Sequence, residues 1–314
     1  MLDIEHLTPI RTVGARQLYF TPTYACNSDC IMCGVAKWKR DSRQSFSLAK
    51  CRQLIDDMKL EPGDVLEFSG GEPTIYKGFG EIAEYAKSTY DANVVVLSHG
   101  RSLKSEKFVR SLVGRGIDRF IIPLFSDDPE LHDYITQAPG SFEQTCAGFE
   151  NLEAYGFDYT IKFIAMRPNH THALRTYRLK QKRFAKARFI ISGYQLMGEA
   201  ITNAEDVSVA HSKVKPSIAA VLAEATAAGE TVPVFMFPMC LVDPLYWQSY
   251  GIGVWREEVV APDQLKISES TALNYEEKPP KCADCALQYR CTWAWRKYVE
   301  RFGDDELQPY VLAS

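Results

Sequence analysis

Three cysteines, Cys26, Cys30 and Cys33, fall within the stretch ACNSDCIMCG. A disulfide uses two thiols and a closed zinc site four, so an odd trio at this spacing points to a metal centre with one coordination position left for a ligand from outside the protein. A second concentration lies far down the chain, where KCADCALQYRC gives Cys282, Cys285 and Cys291, and Cys240 stands upstream in PMCLVDP. Four thiolates can close a site around a zinc ion or hold an iron–sulfur cluster. The other two of the nine cysteines, Cys51 and Cys146, fall on apolar helix faces and read as small core residues.

The elements that must position these residues are legible as an alternation. QLYFTP (17–22) reads as a strand ending just before the cysteine loop, and SLAKCRQLIDDMKL (47–60) as a helix with Leu48, Cys51, Ile55 and Met58 on one face. DVLEFSGGEP, NVVVLSHG, DRFIIPLF, YTIKFIAM and ARFIISGYQL read as five further strands separated by helical stretches. Such alternation makes a parallel sheet covered on both faces. Six units predict an α/β fold, a partial (β/α)6 TIM barrel. Chemistry in such folds gathers where the strand-to-helix loops converge at the carboxyl ends of the strands. Those loops carry TPTYACNSDCIMC, SGGEPT, SHGRS and FSDDPELHD. The predicted division is an extension over 1–15, the barrel over 16–202, a connecting helical segment over 203–234 and a small cysteine-bearing domain over 235–314.

Composition sets the outer bounds. A chain of 314 residues, 46% hydrophobic, holds one large domain and a smaller one, and a net charge of −4 gives no basic excess for a nucleic acid held through its phosphates. The basic run RLKQKRFAKAR (178–188) reads as the solvated face of a helix. The amino terminus lacks a basic start followed by an apolar run, and no segment reaches the ~18 apolar residues of a membrane span, so the chain is read as cytoplasmic. That compartment keeps thiols reduced, which argues for metal ligation over a disulfide framework.

Taken together, the CxxxCxxC spacing after the first strand and Gly70-Gly71-Glu72-Pro73 after the second resemble the radical S-adenosylmethionine (radical SAM) superfamily. The resemblance implies a [4Fe-4S] cluster on Cys26, Cys30 and Cys33, with the fourth iron open to the amino and carboxylate groups of S-adenosylmethionine. It also implies reductive cleavage of that cofactor to methionine and a 5′-deoxyadenosyl radical, with an electron donor such as flavodoxin or ferredoxin. Met32 would pack on the adenine. Gly70 and Gly71 would let backbone carbonyls approach the methionine amino group, Glu72 would fix the ammonium region and Pro73 completes the motif. Ser126 is a candidate for a ribose or carboxylate contact, and SHG (98–100) stands at a strand end where relatives often carry a Thr-Asn-Gly-like sequence. Thr136 stands where many relatives carry an arginine, which leaves the carboxylate anchor open. His132 and Asp133 read as structural helix residues in preference to an acid–base pair. The sharper alternative for Cys51 or Cys146, hydrogen-atom donation to a substrate radical, requires a position facing the barrel mouth.

The C-terminal cysteines resemble the auxiliary-cluster domains, SPASM or its shortened twitch form, that many radical SAM enzymes carry. Trp295 stands where another cysteine is usual and none follows Gly251 and Gly253, so one closed [4Fe-4S] cluster on Cys240, Cys282, Cys285 and Cys291 is the simplest inference, with structural zinc as the rival. Enzymes with such domains often modify ribosomally made peptides, and DDPELHDYITQAPGSF resembles a segment of peptide-modifying members. The leading expectation is a precursor-peptide maturase that cross-links, epimerises or excises. The 25 residues before Cys26 are too few for a winged-helix leader-recognition domain, so a separate leader-binding protein is expected as a possible partner. The alternatives are a radical SAM dehydrogenase or rearrangement enzyme acting on a small metabolite such as an aminocyclitol, and a non-catalytic iron–sulfur sensor. The intact Gly-Gly-Glu-Pro stretch argues against the sensor.

Overall fold

The computed structural model describes residues 16–36, 45–249, 256–261, 264–271, 279–288, 291, 294 and 296–311. The extension over 1–15, and Gly251, Gly253 and Trp295, lie outside the described residues. Strands β1 (Gln17–Phe20), β2 (Val65–Phe68), β3 (Asn93–Leu97), β4 (Ile117–Pro123), β5 (Tyr159–Ala165) and β6 (Arg188–Gly193) pair in sequence order, all parallel, as a sheet curled into a half-barrel. This is the predicted partial barrel. Three strands extend it beyond the six-unit reading. β7 (Val234–Phe235) joins β6 in parallel, β8 (Arg256–Ala261) joins the free side of β1 in parallel, and β9 (Gln264–Thr271) closes that edge antiparallel to β8. β7 is too short and β8 too charged to carry the apolar alternation by which strands are read.

Period-two alternation fixes what each strand presents to either side. Leu18 and Phe20, Leu66 and Phe68, Val94 and Val96, and Phe120 and Ile122 are buried without measurable exposure on the helix side. There Phe20, Phe68 and Phe79 form a chain of edge-on rings with centroids 5.8 and 5.9 Å apart. The concave side takes the intervening residues, among them the polar or charged Gln17, Tyr19, Glu67, Lys162 and Ser192. Described helices cover the convex side: α1 (Leu48–Asp57), α2 (Phe79–Tyr90), α3 (Glu106–Leu112), α4 (Pro129–Thr136), α5 (Ser141–Ala154) and α6 (Ala173–Arg183). After β6 come the short α7 (Glu199–Thr202) and α8 (Ala204–Val207), the long α9 (His211–Ala227) and, near the end, α10 (Arg296–Phe302). None of the described helices is long and apolar enough to cross a membrane.

Capping explains where several helices begin. Ser47 Oγ accepts from Lys50 N at 3.2 Å to start α1, and Asp128 accepts from Glu130 N at 2.9 Å with Pro129 in the first helical turn of α4. The basic run on α6 is not wholly a solvated face. Lys180 is buried at 2% exposure, and its Nζ lies 3.0 Å from both carboxylate oxygens of Glu230, which follows α9. Tyr177 also donates to Glu230, at 3.1 Å. The pairing lies between segments distant in sequence, so the charge pattern of α6 alone cannot announce it.

Replacing Glu230 by alanine leaves that ammonium buried without its partner. Such a break costs about 3–5 kcal/mol when both partners are fully buried, and Glu230 is about one-third exposed, so the expected loss lies at the lower end. Chemical denaturation of Glu230→Ala alongside Arg183→Ala, whose pair with Glu150 is largely exposed, checks this: the first variant should lose several times more stability than the second.

Candidate active site

The loop that carries Cys26, Cys30 and Cys33 leaves the carboxyl end of β1 and is held from several sides. Gly71 N donates to Thr23 O at 3.0 Å and Glu72 N to Ala25 O at 2.8 Å, so the loop after β2 lies directly on it. Asp29 N and Ile31 N donate to Thr136 O and Ile135 O, both at 3.0 Å, at the end of α4. Arg101 donates from Nη1 to Asn27 O and to Ser28 Oγ at 2.8 Å, and its Nε reaches Gln144 Oε1 at 2.8 Å on α5. Asn203 Nδ2 donates to Ile31 O at 2.8 Å and Glu199 N to Cys33 O at 2.9 Å.

Two glycines are required by close approach. A Cβ on Gly71 would lie 2.3 Å from Ala25 O and 2.5 Å from Tyr24 C, and a Cβ on Gly198, whose φ is +56°, would lie 2.4 Å from Cys33 O. The immediate demand on the glycine motif therefore comes from the chain's own cysteine loop.

Glu72 is buried at 1% exposure. Its Oε1 accepts from Thr74 N at 3.0 Å, Thr74 Oγ1 at 2.5 Å and Ser98 Oγ at 2.8 Å, and its Oε2 accepts from His99 N at 2.8 Å. The His99 ring also stands 3.3 Å from Oε2, but its Nδ1 accepts from Arg101 N at 3.1 Å. That leaves the proton on Nε2, which donates to Asn27 Oδ1 at 2.6 Å, so the ring is a neutral bridge to the cysteine loop and not a charged partner of Glu72.

These loops enclose a cavity of about 330 Å³ at the barrel mouth. Cys26, Cys30, Met32, Cys33, Gly70, Gly71 and Glu72 all line it, joined by Ser98, His99, Phe125, Lys162 and Met236. Pro73 is buried and opens a short turn, and Ser126 is buried with its hydroxyl accepting from Asp128 N at 2.9 Å and 3.1 Å from His172 Nδ1; neither lines the cavity. Thr136 is spent on Ser141 Oγ at 2.6 Å. His132 accepts from Phe125 N through Nδ1 at 3.2 Å, its ring lies between Phe125 and Phe142, and burial pushes its pKa down to about 4. It is thus neutral, and its stabilising contribution, complete above the ordinary value of 6.5, is lost as the pH falls from there through 4.

Burial would raise the pKa of Asp133, but bonds from Phe142 N, Ser141 Oγ and Gly140 N, which start α5, bring it below the usual carboxylate range. Cys51 and Cys146 are fully buried away from the cavity; burial raises both thiols, Cys146 to about 12. Arg101, Lys162 and Met236, the last in left-handed backbone at φ 61°, were missed by sequence reasoning; a lone lysine within the apolar run YTIKFIA is the signal that was there to be used.

At the other end of the chain, Cys240, Cys282, Cys285 and Cys291 line one narrow cavity together with Leu287 and Leu307. Met239 N donates to Cys291 Sγ at 3.2 Å and Tyr310 N to Cys285 Sγ at 3.4 Å, the backbone bonds that support sulfur ligands. Among the described residues no three His, Cys, Asp or Glu side chains converge on a point that would hold a single ion. A cubane takes one thiolate per iron, so its ligands need no such point. Three thiols in an open cavity beside a backbone-lined glycine turn fit a cluster with one iron left accessible, and four around a closed one fit a fully ligated centre.

The Radical SAM superfamily profile matches residues 20–178, half of the chain, and the chain belongs to that superfamily. It is a radical SAM enzyme, and the family implies S-adenosylmethionine and a [4Fe-4S] cluster. Among curated relatives, the AdoMet-dependent heme synthase of Methanosarcina barkeri (strain Fusaro) is 28% identical over 54% of this chain and 48% of its own length. The mycofactocin maturase MftC of Mycolicibacterium smegmatis is 30% identical over 47% of this chain and 37% of its own length. The chain thus spans less than half the length of these curated relatives. Among solved structures, Streptococcus suis SuiB bound to S-adenosylmethionine has a TM-score of 0.64 at 14% identity, covering 96% of this chain and 77% of SuiB. The anSMEcpe structure with AdoMet and the Cp18Cys peptide has a TM-score of 0.65 at 13% identity, covering 94% and 92%.

Gly71→Ala should push the cysteine loop off the β2 loop and lower the iron retained after anaerobic reconstitution. Glu72→Ala should leave iron content near wild type while weakening S-adenosylmethionine binding about tenfold or more, because four buried donors lose their acceptor and the cavity wall they form relaxes. Equilibrium binding with iron analysis of both variants checks the pair, and normal cofactor affinity in Glu72→Ala refutes its role.

Proposed function

We propose that this radical SAM enzyme modifies a ribosomally synthesised precursor peptide, by cross-link, epimerisation or excision. In this reading Cys26, Cys30 and Cys33 hold the cluster that binds S-adenosylmethionine, with Gly70, Gly71, Glu72 and Met32 forming its cavity wall. Cys240, Cys282, Cys285 and Cys291 hold a second, auxiliary [4Fe-4S] cluster. When bound, the cofactor and its cluster supply a carbon-centred radical that abstracts hydrogen; the chain's own part is to hold the loops rigid, exclude water and aim the substrate. The domain boundaries at 16–202, 203–234 and 235–314 belong to the same reading, as do an electron donor of flavodoxin or ferredoxin type and a separate leader-binding protein.

The observation that carries this reading is the extent of the fold likeness. The match to anSMEcpe with a bound peptide covers 94% of the chain and so runs beyond the barrel into the four-cysteine segment, and SuiB is also known bound to its precursor peptide SuiA. The mycofactocin maturases MftC among the relatives support a maturase role. A second reading rests on the heme synthase and the Fe-coproporphyrin III synthase among the relatives, which favour a small molecule with the same radical chemistry.

Anaerobically reconstituted protein should hold about eight irons and eight sulfides, and replacing Cys26, Cys30 and Cys33 together by alanine should remove half of them. About four irons with one tightly bound zinc would sink the auxiliary cluster and leave the radical site standing. Co-expression with small neighbouring genes, followed by mass spectrometry, should reveal a peptide that has lost a hydrogen pair or a fragment, or that takes up deuterium in heavy water. If every such peptide emerges unmodified while a small metabolite is consumed with stoichiometric 5′-deoxyadenosine, the small-molecule reading takes its place.

A further inference from the structure

A carboxyl and an amine side chain line the barrel cavity, Glu72 and Lys162, and their situations differ. Glu72 receives four hydrogen bonds from the loops around it. Lys162 projects from the middle of β5 into the cavity, in register with Pro123 on β4 and two residues before Ile164, both of which line the same wall. Among the described residues no carboxylate forms an ion pair with its ammonium and no acceptor forms a hydrogen bond with it. The charge that acts on it is Glu67 on β2, across the concave face, whose Oε2 accepts from Gln17 Nε2 at 3.1 Å. Burial accordingly lowers the lysine's pKa, with Glu67 opposing that effect.

Lys162 is partly exposed to the cavity, and a methionine or leucine would fill the same place in the YTIKFIA strand without bringing an ionisable group into it. An amine that faces a cavity without a protein acceptor is placed to meet an anionic ligand there. We infer that Lys162 is the counter-ion for a carboxylate that the substrate carries into the barrel. Resting on the peptide reading above, this makes the carboxylate an acidic side chain or the terminal carboxylate of the peptide region being modified. Lys162 is the single cationic side chain among the described residues of the lining, which suits a monoanion better than a phosphate, whose two charges and several acceptor oxygens call for more donors.

The test uses anaerobically reconstituted wild type, Lys162→Met and Lys162→Arg in the presence of S-adenosylmethionine. The probe is a mixture of acetylated dipeptides offered as free acids and, separately, as the matching carboxamides, with bound fractions read by equilibrium ultrafiltration and mass spectrometry. Wild type should bind a subset of acids at least about tenfold more tightly than their amides, Lys162→Met should lose that preference and Lys162→Arg should keep part of it. Affinity for S-adenosylmethionine should not change in Lys162→Met, and the apo-variant should melt no lower than wild type because the amine makes no hydrogen bond or ion pair within the described residues.

Equal binding of acids and amides by wild type, an unaltered preference in Lys162→Met, or no bound acid at all overturns the inference. So does a loss confined to S-adenosylmethionine, which would assign the lysine to the methionyl carboxylate, or a Lys162→Met protein that melts markedly lower, which would make it structural. Failure of the peptide reading itself has a different signature: neighbouring peptides stay unmodified while the lysine-dependent preference for acids persists.

Discussion

A carboxylate taken out of water must be met by donors on nearly every lone pair, and Glu72 meets that condition with groups drawn from two separate loops. Thr74 lies in its own loop after β2, whereas Ser98 and His99 N belong to the loop after β3. His99 then passes the connection to Asn27 in the loop after β1. Three strand ends are thereby locked to one buried charge. Because each donor is itself removed from solvent, no member can leave without stranding the others, and the cavity wall behaves as one rigid unit. This rigidity is what a radical enzyme asks of its protein, which has to hold reacting atoms in place while giving them little to react with.

The interior below that wall departs from an ordinary closed barrel, whose lumen is packed with branched apolar side chains. Here Gln17, Tyr19, Glu67 and Lys162 place polar atoms on the concave face. Gln17 Nε2 donates to Tyr19 Oη at 2.9 Å and to Glu67 at 3.1 Å, so the β1–β2 side of this layer is self-satisfied. On the β5 side Lys162 has no hydrogen-bond or ion-pair partner among the described residues, so this layer is satisfied at β1 and β2 and left open at β5.

Much of this was legible in the sequence because it depends on short-range pattern. The six strands announce themselves by alternation, and the cysteine and glycine motifs fall at strand ends where the loops of a parallel sheet must meet. The structure gathers all seven of Cys26, Cys30, Met32, Cys33, Gly70, Gly71 and Glu72 on one cavity, and all four C-terminal cysteines on another. What could not be read depends on pairings between distant segments. Arg101 clamps a loop more than seventy positions away, Lys180 is buried because Glu230 comes to it, and the candidate contact Ser126 turns out to be occupied by Asp128 N and His172. A hydroxyl or a cation looks the same in sequence whether its partner is water, a ligand or a residue fifty positions away.

The same consideration bears on how the two cysteine sites are related. β1, the strand that delivers the first cysteine loop, is paired on one side by β2 and on the other by β8, which lies between Cys240 and Cys282 in the chain. Thr21 N, at the exit from β1, donates to Val260 O at 2.9 Å. On the opposite flank His211 N donates to Tyr298 Oη at 2.7 Å and Ser212 N to Glu306 Oε2 at 2.9 Å, tying the start of α9 to the segment that follows Cys291. The stretch bearing the four cysteines is therefore bound to the barrel at β1, through β8, and at the start of α9, through the segment after Cys291. A disturbance of the β1 edge would reach both cavities, because the strand that presents one trio of thiols is braced by the chain that joins the members of the other set.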